Sequence, residues 1–153
     1  MKKKVLFLHG LESKPGGTKP TFLQEHGFEI LNPLLPKKDF LKSCDIAQGL
    51  VDSHQPDVIV GSSRGGAVAM AIDPKGAELI LIAPAWVNFL GPSQVPARAS
   101  ILHSQLDDVV PFANSFDLSV KSGASLVDCG RGHRMDDPDA LEKLLEVVTH
   151  VCK

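Results

Sequence analysis

Three kinds of residue in this chain could act together on a carbonyl group. The first is Ser63, set among glycines in the stretch Gly61-Ser62-Ser63-Arg64-Gly65-Gly66. A serine hydroxyl is a weak nucleophile until a base takes its proton, and that base needs an acidic group to orient it. The stretch "CGRGHRMDDP" at 129–138 supplies His133, and "ILHSQLDDVVP" at 101–111 supplies Asp107, with Asp108 as the fallback acid. The order along the chain is serine, aspartate, histidine. Ser63 is the centre of a G-x-S-x-G pattern. A serine whose hydroxyl must project from a sharp strand-to-helix turn needs small residues two before and two after it, and Gly61 and Gly65 meet that need. A glycine turn whose serine merely caps the next helix has the same pattern. A phosphate-cradling loop is excluded in its usual forms, because neither G-x-x-x-x-G-K-[ST] nor G-x-G-x-x-G occurs.

Positioning these groups requires a scaffold, and the apolar runs indicate which. "KVLFL" (4–8), "FEILNP" (28–33), "DVIVG" (57–61), "ELILIA" (78–83), "ASILHS" (99–104) and "ASLVDC" (124–129) are short, rich in Val, Ile and Leu, and bounded by Gly, Pro or Asp. Buried parallel strands read this way. Between them the sequence predicts helices over 18–26, 41–55, 64–72, 112–121 and 139–152. The first has the weakest pattern. The second places Leu41, Ile46, Leu50 and Val51 on one side. The last carries Leu141, Leu144, Leu145, Val148 and Val151 at helical spacing. Asp137 can cap that last helix, and Pro138 and Asp139 suit its first turn. Alternation of strand and helix implies a parallel sheet covered on both faces, with ligands beyond the carboxyl ends of the strands. Gly10, Ser63, Asp107 and His133 all follow apolar runs.

The 153 residues suit one domain, 1–153, and 43% hydrophobic residues suffice for a packed core. A formal charge of −2, with scattered Lys and Arg, gives no footprint for nucleic acid or an anionic membrane. "MKKKVLFLHG" has too short an apolar run for a secretory signal, and nothing approaches a membrane span. Cys44, Cys129 and Cys152 form no pair and no metal pattern. They read as reduced thiols of a cytoplasmic protein. Nothing in the sequence sets an oligomeric state.

With the four stretches in view, the chain resembles the α/β-hydrolase superfamily over nearly its whole length. "FLHGL" (7–11) looks like that family's first-strand loop and "GSSRGG" like its nucleophile elbow. "LHSQLDDVVP" looks like its H-G-x-x-D-x-x-V-P acid loop, with Ser104 where glycine is usual, and "GRGH" like its histidine loop. In size and in its paired "HG…GSS" signals the chain is most similar to small YqiA-like esterases. The resemblance implies a minimal three-layer α/β/α sandwich. Its parallel sheet would have six strands in the order 2-1-3-4-5-6, without the family's first two strands and with little room for a cap domain. It also implies Ser63 as nucleophile, His133 as base, Asp107 as acid, and an oxyanion hole formed by the backbone N–H groups of Leu11 and Arg64. No metal or organic cofactor is implied.

Other residues carry two readings each. Ser62 reads as packing under the turn. His9 either shapes the first loop through hydrogen bonds or is a satisfied strand-end histidine, and His103 reads as structural. Arg64 opposes the dipole at the start of its helix. Either a carboxylate such as Glu12 or Asp108 offsets it, or it meets an anionic group on a substrate. Trp86, Phe89, Leu90 and Val95 could line an acyl pocket or fill a core, and Leu34, Leu35 and Phe40 are similarly placed. The functional expectation is a serine hydrolase acting on a small-molecule ester or thioester. The alternatives are a binding or scaffolding protein with a silent triad, and an acyltransferase using the same three residues.

Overall fold

The structure, a computed structural model, describes residues 2–89 and 92–153. Six strands form one sheet: β1 (Lys4–Leu8), β2 (Glu29–Leu31), β3 (Val58–Ser62), β4 (Glu78–Ile82), β5 (Ser100–His103) and β6 (Ser125–Asp128). The helices are α1 (Thr18–Glu25), α2 (Phe40–His54), α3 (Arg64–Ala71), α4 (Phe112–Ser122) and α5 (Pro138–Val151), with a 3₁₀ turn at Trp86–Phe89. Every pairing is parallel and the strand order is β2-β1-β3-β4-β5-β6. Strand number and order match the expectation, and so do all five helices. The fold is that of an α/β hydrolase in a six-stranded form.

The continuous apolar runs of β1, β3, β4 and β5 arise because these strands are buried on both faces. Successive residues of β1 divide between two cores. Leu6 and Leu8 join Ile59, Leu79, Leu81 and Ile101 beneath Ala47 and Val51 of α2, Val68 of α3 and Leu118 of α4. Val5 and Phe7 join Val58, Val60, Ile80, Ile82 and Leu102 beneath Leu23 of α1 and Ala140, Leu144 and Val148 of α5. Helices therefore cover one face as α2, α3 and α4 and the other as α1 and α5. The chain leaves β1 towards β2 and then returns across β1 to β3. The sheet's switch point thus lies between β1 and β3, where open α/β sheets collect their ligands. Ser63 stands at that point, one residue beyond β3.

Two local expectations change. Leu41 was expected on the inward side of α2 but is 75% exposed. The helix instead faces the sheet with Ser43, Ala47 and Val51, an i, i+4, i+8 stripe. The segment after β4 holds the 3₁₀ turn among its described residues. Leu90, expected with the acyl-pocket group, lies outside them.

Candidate active site

Three loops leave the carboxyl edge of the sheet and converge. The first is the turn from β3 into α3. Ser63 has φ +55° and ψ −116°, a conformation that a residue with a side chain rarely adopts. Its backbone is held on both sides. Ser63 N–H donates to Ile82 O at 2.9 Å, and its carbonyl accepts from Gly66 N at 2.9 Å and Ala85 N at 3.0 Å. The tightness also explains the flanking glycines. A Cβ on Gly61 would stand 2.4 Å from Gly65 O, and one on Gly65 would stand 2.0 Å from Leu8 O. Ser62 is buried, as expected of a residue beneath the turn.

The second loop follows β5 and the third follows β6. The Ser63 hydroxyl lies 3.0 Å from Nε2 of His133, and Nδ1 of His133 lies 2.8 Å from Oδ2 of Asp107. With the ring proton on Nδ1 facing the carboxylate, the lone pair of Nε2 faces the serine. The Asp107 side chain is 0% exposed and that of His133 is 21% exposed. Burial would by itself push the Asp107 carboxyl's pKa up. The hydrogen bonds from His133 and from the amides of Val110 and Val109 outweigh it, and the net shift is downward. Asp108 is exposed and is not brought to His133. Asp128 ends its strand and binds Gln105.

The histidine loop is pinned by elements distant in sequence. Asp137 caps α5 through Ala140 N and also accepts from Arg131 N at 3.0 Å. Asp139 accepts from Gly130 N at 2.8 Å. Lys19 of α1 donates its ammonium to Arg134 O at 2.5 Å, and burial lowers its pKa. Ser104, the residue in place of the usual glycine, donates to Gly130 O at 3.0 Å and so ties the acid loop to the histidine loop. Lys19 gave no signal in the sequence, because the contact joins positions 115 residues apart.

At the first loop, His9 donates from Nδ1 to Gly10 O at 2.8 Å and accepts from Leu35 N at Nε2, 2.9 Å away. It is the hydrogen-bonded shaper of that loop, and it fastens the loop after β1 to the one after β2. Neither the Leu11 nor the Arg64 backbone N–H has an acceptor among the described residues. Both are thus left over as donors at the edge that carries Ser63.

The Arg64 side chain departs from both expectations. It is 3% exposed and forms no ion pair with a carboxylate among the described residues. Its guanidinium donates to Pro36 O at 2.9 Å and Ser43 Oγ at 3.3 Å, and lies 5.6 Å and 5.7 Å from the ring centres of Phe40 and Phe89. Glu12 pairs instead with Lys37. The helix-start cation is accommodated by a carbonyl, a hydroxyl and two π faces. Burial pushes its pKa down. The guanidinium is thus enclosed by α2 and the 3₁₀ turn instead of open to solvent. Phe89 stacks on Phe40 with ring centres 4.8 Å apart, and Trp86 donates from Nε1 to Asn114 O at 3.2 Å. These contacts fasten the 3₁₀ turn to α2 and α4, while both rings remain partly exposed.

Concavity and chemistry do not coincide. Clefts of about 550 Å³ and 610 Å³ lie at the amino edge of the sheet, lined by residues such as Asp57, Glu78 and Cys152 or Ser100, Ser125 and His150. Neither contains a residue of the serine–histidine–aspartate relay. The relay's geometry, not cleft size, places the site. Among the described residues, no helix is long and apolar enough to cross a membrane.

No protein-family model matches the chain, and no curated protein sequence matches it. Solved structures do. A protein of Xanthomonas campestris grouped with the α/β hydrolase superfamily superposes with a TM-score of 0.77 at 21% identity, over 96% of this chain and 99% of that one. Est1E from Butyrivibrio proteoclasticus gives 0.76 at 18% identity, over 97% and 86%. The ydeN gene product of Bacillus subtilis gives 0.75 at 16% identity, over 98% of each chain. These likenesses show the fold.

Proposed function

We propose that this chain is a serine hydrolase that cleaves a small carboxylic ester or thioester through an acyl-enzyme on Ser63. The observation that carries the reading is the unbroken relay from the Ser63 hydroxyl through His133 to Asp107, at 3.0 Å and 2.8 Å. As Ser63 Oγ attacks the carbonyl carbon, its proton passes to Nε2 of His133. Asp107 holds the Nδ1–H tautomer and stabilises the imidazolium. The developing oxyanion is received by the N–H groups of Leu11 and Arg64. The proton on His133 then goes to the leaving alcohol or thiol. Water, deprotonated by the same imidazole, releases the acid and restores the serine. The α/β hydrolase fold shared with the solved structures supports this chemistry, and three free cysteines agree with a cytoplasmic setting.

The test uses p-nitrophenyl acetate and a fluorophosphonate probe on the whole chain. Wild type should turn over the ester and become labelled on Ser63. Ser63→Ala should lose at least about a thousandfold in rate while its circular dichroism is unchanged. Equal activity in the two proteins, or labelling elsewhere, would remove the assignment.

A further inference from the structure

The hydrogen-bonded chain does not end at Asp107. His103 closes β5, and its ring is fully buried. Its Nε2 lies 3.0 Å from Asp107 Oδ2 and 3.0 Å from the carbonyl oxygen of Val110. Both are acceptors, so Nε2 carries the hydrogen and shares it between them. On the other side Nδ1 lies 2.6 Å from Oγ of Ser115, a buried residue of α4 whose hydroxyl donates to it. The edge of Phe112 covers the ring at 5.6 Å. The titratable groups that bear on His103 are Asp107 on its own loop and His133 across from it. Burial is the larger influence and lowers its pKa, which keeps the ring neutral.

Asp107 therefore accepts four hydrogen bonds. Oδ1 takes the amides of Val109 and Val110, both at 2.8 Å, and Oδ2 takes His133 and His103. That is the acceptor capacity of a carboxylate, about four lone-pair sites. With the carboxylate side chain fully enclosed, no water can stand in for a missing donor.

We propose that His103 is a positioning residue for the Asp107–His133 couple, a neutral imidazole locked by Ser115 and Val110 that fixes Oδ2 of Asp107 where His133 meets it. Its bearing on catalysis rests on the hydrolase reading above; its bearing on the couple does not. Removing the donor leaves a buried negative charge less well solvated. The couple then holds a proton more tightly, and the pH at which it is freed rises.

The experiment compares wild type, His103→Leu, His103→Gln and Ser115→Ala. Imidazole nitrogen NMR follows the couple across pH, and fluorophosphonate labelling of Ser63 is timed over the same range. His103→Leu should move the midpoint of the couple and the acid limb of labelling upward by about one pH unit, the size expected for one hydrogen bond to a charged group. Gln, whose amide can donate from the Nε2 position, should return both towards wild type. Ser115→Ala, which keeps the ring but frees its tautomer, should shift both in the same direction by less. In wild type, His103 should stay singly protonated throughout.

A role in packing alone would lower stability and leave these midpoints fixed. Coincident midpoints in wild type, His103→Leu and Ser115→Ala would overturn the proposal, as would a second proton on His103 near neutral pH. Should the Leu variant not fold, Ser115→Ala and the wild-type tautomer decide. Shifted midpoints without labelling of wild-type Ser63 would sink the hydrolase reading and leave the positioning role standing. Labelling with unmoved midpoints would do the reverse.

Discussion

A buried ion at residue scale is defined by what replaces its water. Asp107, in the loop after β5, and Arg64, the first residue of α3, meet this need by different means. Asp107 has only N–H donors around it, and they hold its pKa below the ordinary value despite burial. Arg64 forms no ion pair with a carboxylate among the described residues, and its charge is spread over Pro36 O, Ser43 Oγ and the faces of Phe40 and Phe89. A cation held this way is a packing element, so its removal should register as lost stability. Arg64→Ala, which leaves a void among two rings, should cost about 2–4 kcal/mol in urea titration. Arg64→Met keeps the volume and leaves the Pro36 carbonyl unpaired, and should cost about 1–2 kcal/mol. Because the side chain is enclosed, the rate ratio between a neutral ester and a hemisuccinate ester should be the same in Arg64→Met and wild type. A selective loss on the anionic ester would restore Arg64 as a binding residue.

Ser63, in the turn from β3 to α3, is one of five non-glycine residues at positive φ among the described residues, with Gln55, Lys75, Ala83 and Met135. Ser63 occupies positive φ because the hydroxyl must leave the helix axis and face His133, and the bonds from Ile82, Gly66 and Ala85 enforce that geometry. Glycine adopts such a conformation without steric cost. Ser63→Gly should therefore be more stable than Ser63→Ala by about 1 kcal/mol, both lacking the hydroxyl. Equal midpoints in urea for the two would show the turn to be relaxed. The same turn shows what a sequence exposes. Gly61, Ser63 and Gly65 are legible because the steric demand is local and allows few residue types. The inner strand runs are legible because two-sided burial leaves polar residues only near their ends. Asp137 as cap and Pro138 at the first turn of α5 are legible for the same local reason. The Ser104 bridge to Gly130 and the Lys19 clamp on Arg134 are tertiary facts, joining residues whose types are common and whose spacing follows no rule. Leu41 misled because a loose apolar count cannot separate an inward stripe from a neighbouring exposed position.

Over the whole molecule, the two edges of the sheet carry different surfaces. The clefts lie at the amino edge, whereas the carboxyl edge carries the relay and several exposed apolar side chains: Leu11, Leu34, Leu41, Val87, Leu106 and Val109. The aromatics expected at an acyl pocket, Trp86 and Phe89, are only partly exposed, with Trp86 bonded to α4 and Phe89 stacked on Phe40. An acyl group on Ser63 would then lie against an open apolar rim and keep much of its water. A methylene that is fully buried contributes about 0.8 kcal/mol, or roughly fourfold in kcat/KM. On an open rim the gain should be well under half of that free energy. Across p-nitrophenyl acetate, butyrate and hexanoate, kcat/KM should therefore rise by less than about twofold per added methylene. A slope at the full burial value would mean that an enclosed channel forms when substrate binds, and the rim would then be a lid's hinge side instead of the binding surface itself. A shallow slope that falls further in Leu34→Ser or Leu106→Ser, with urea midpoints unchanged as expected for exposed positions, would identify which part of the rim the acyl chain touches.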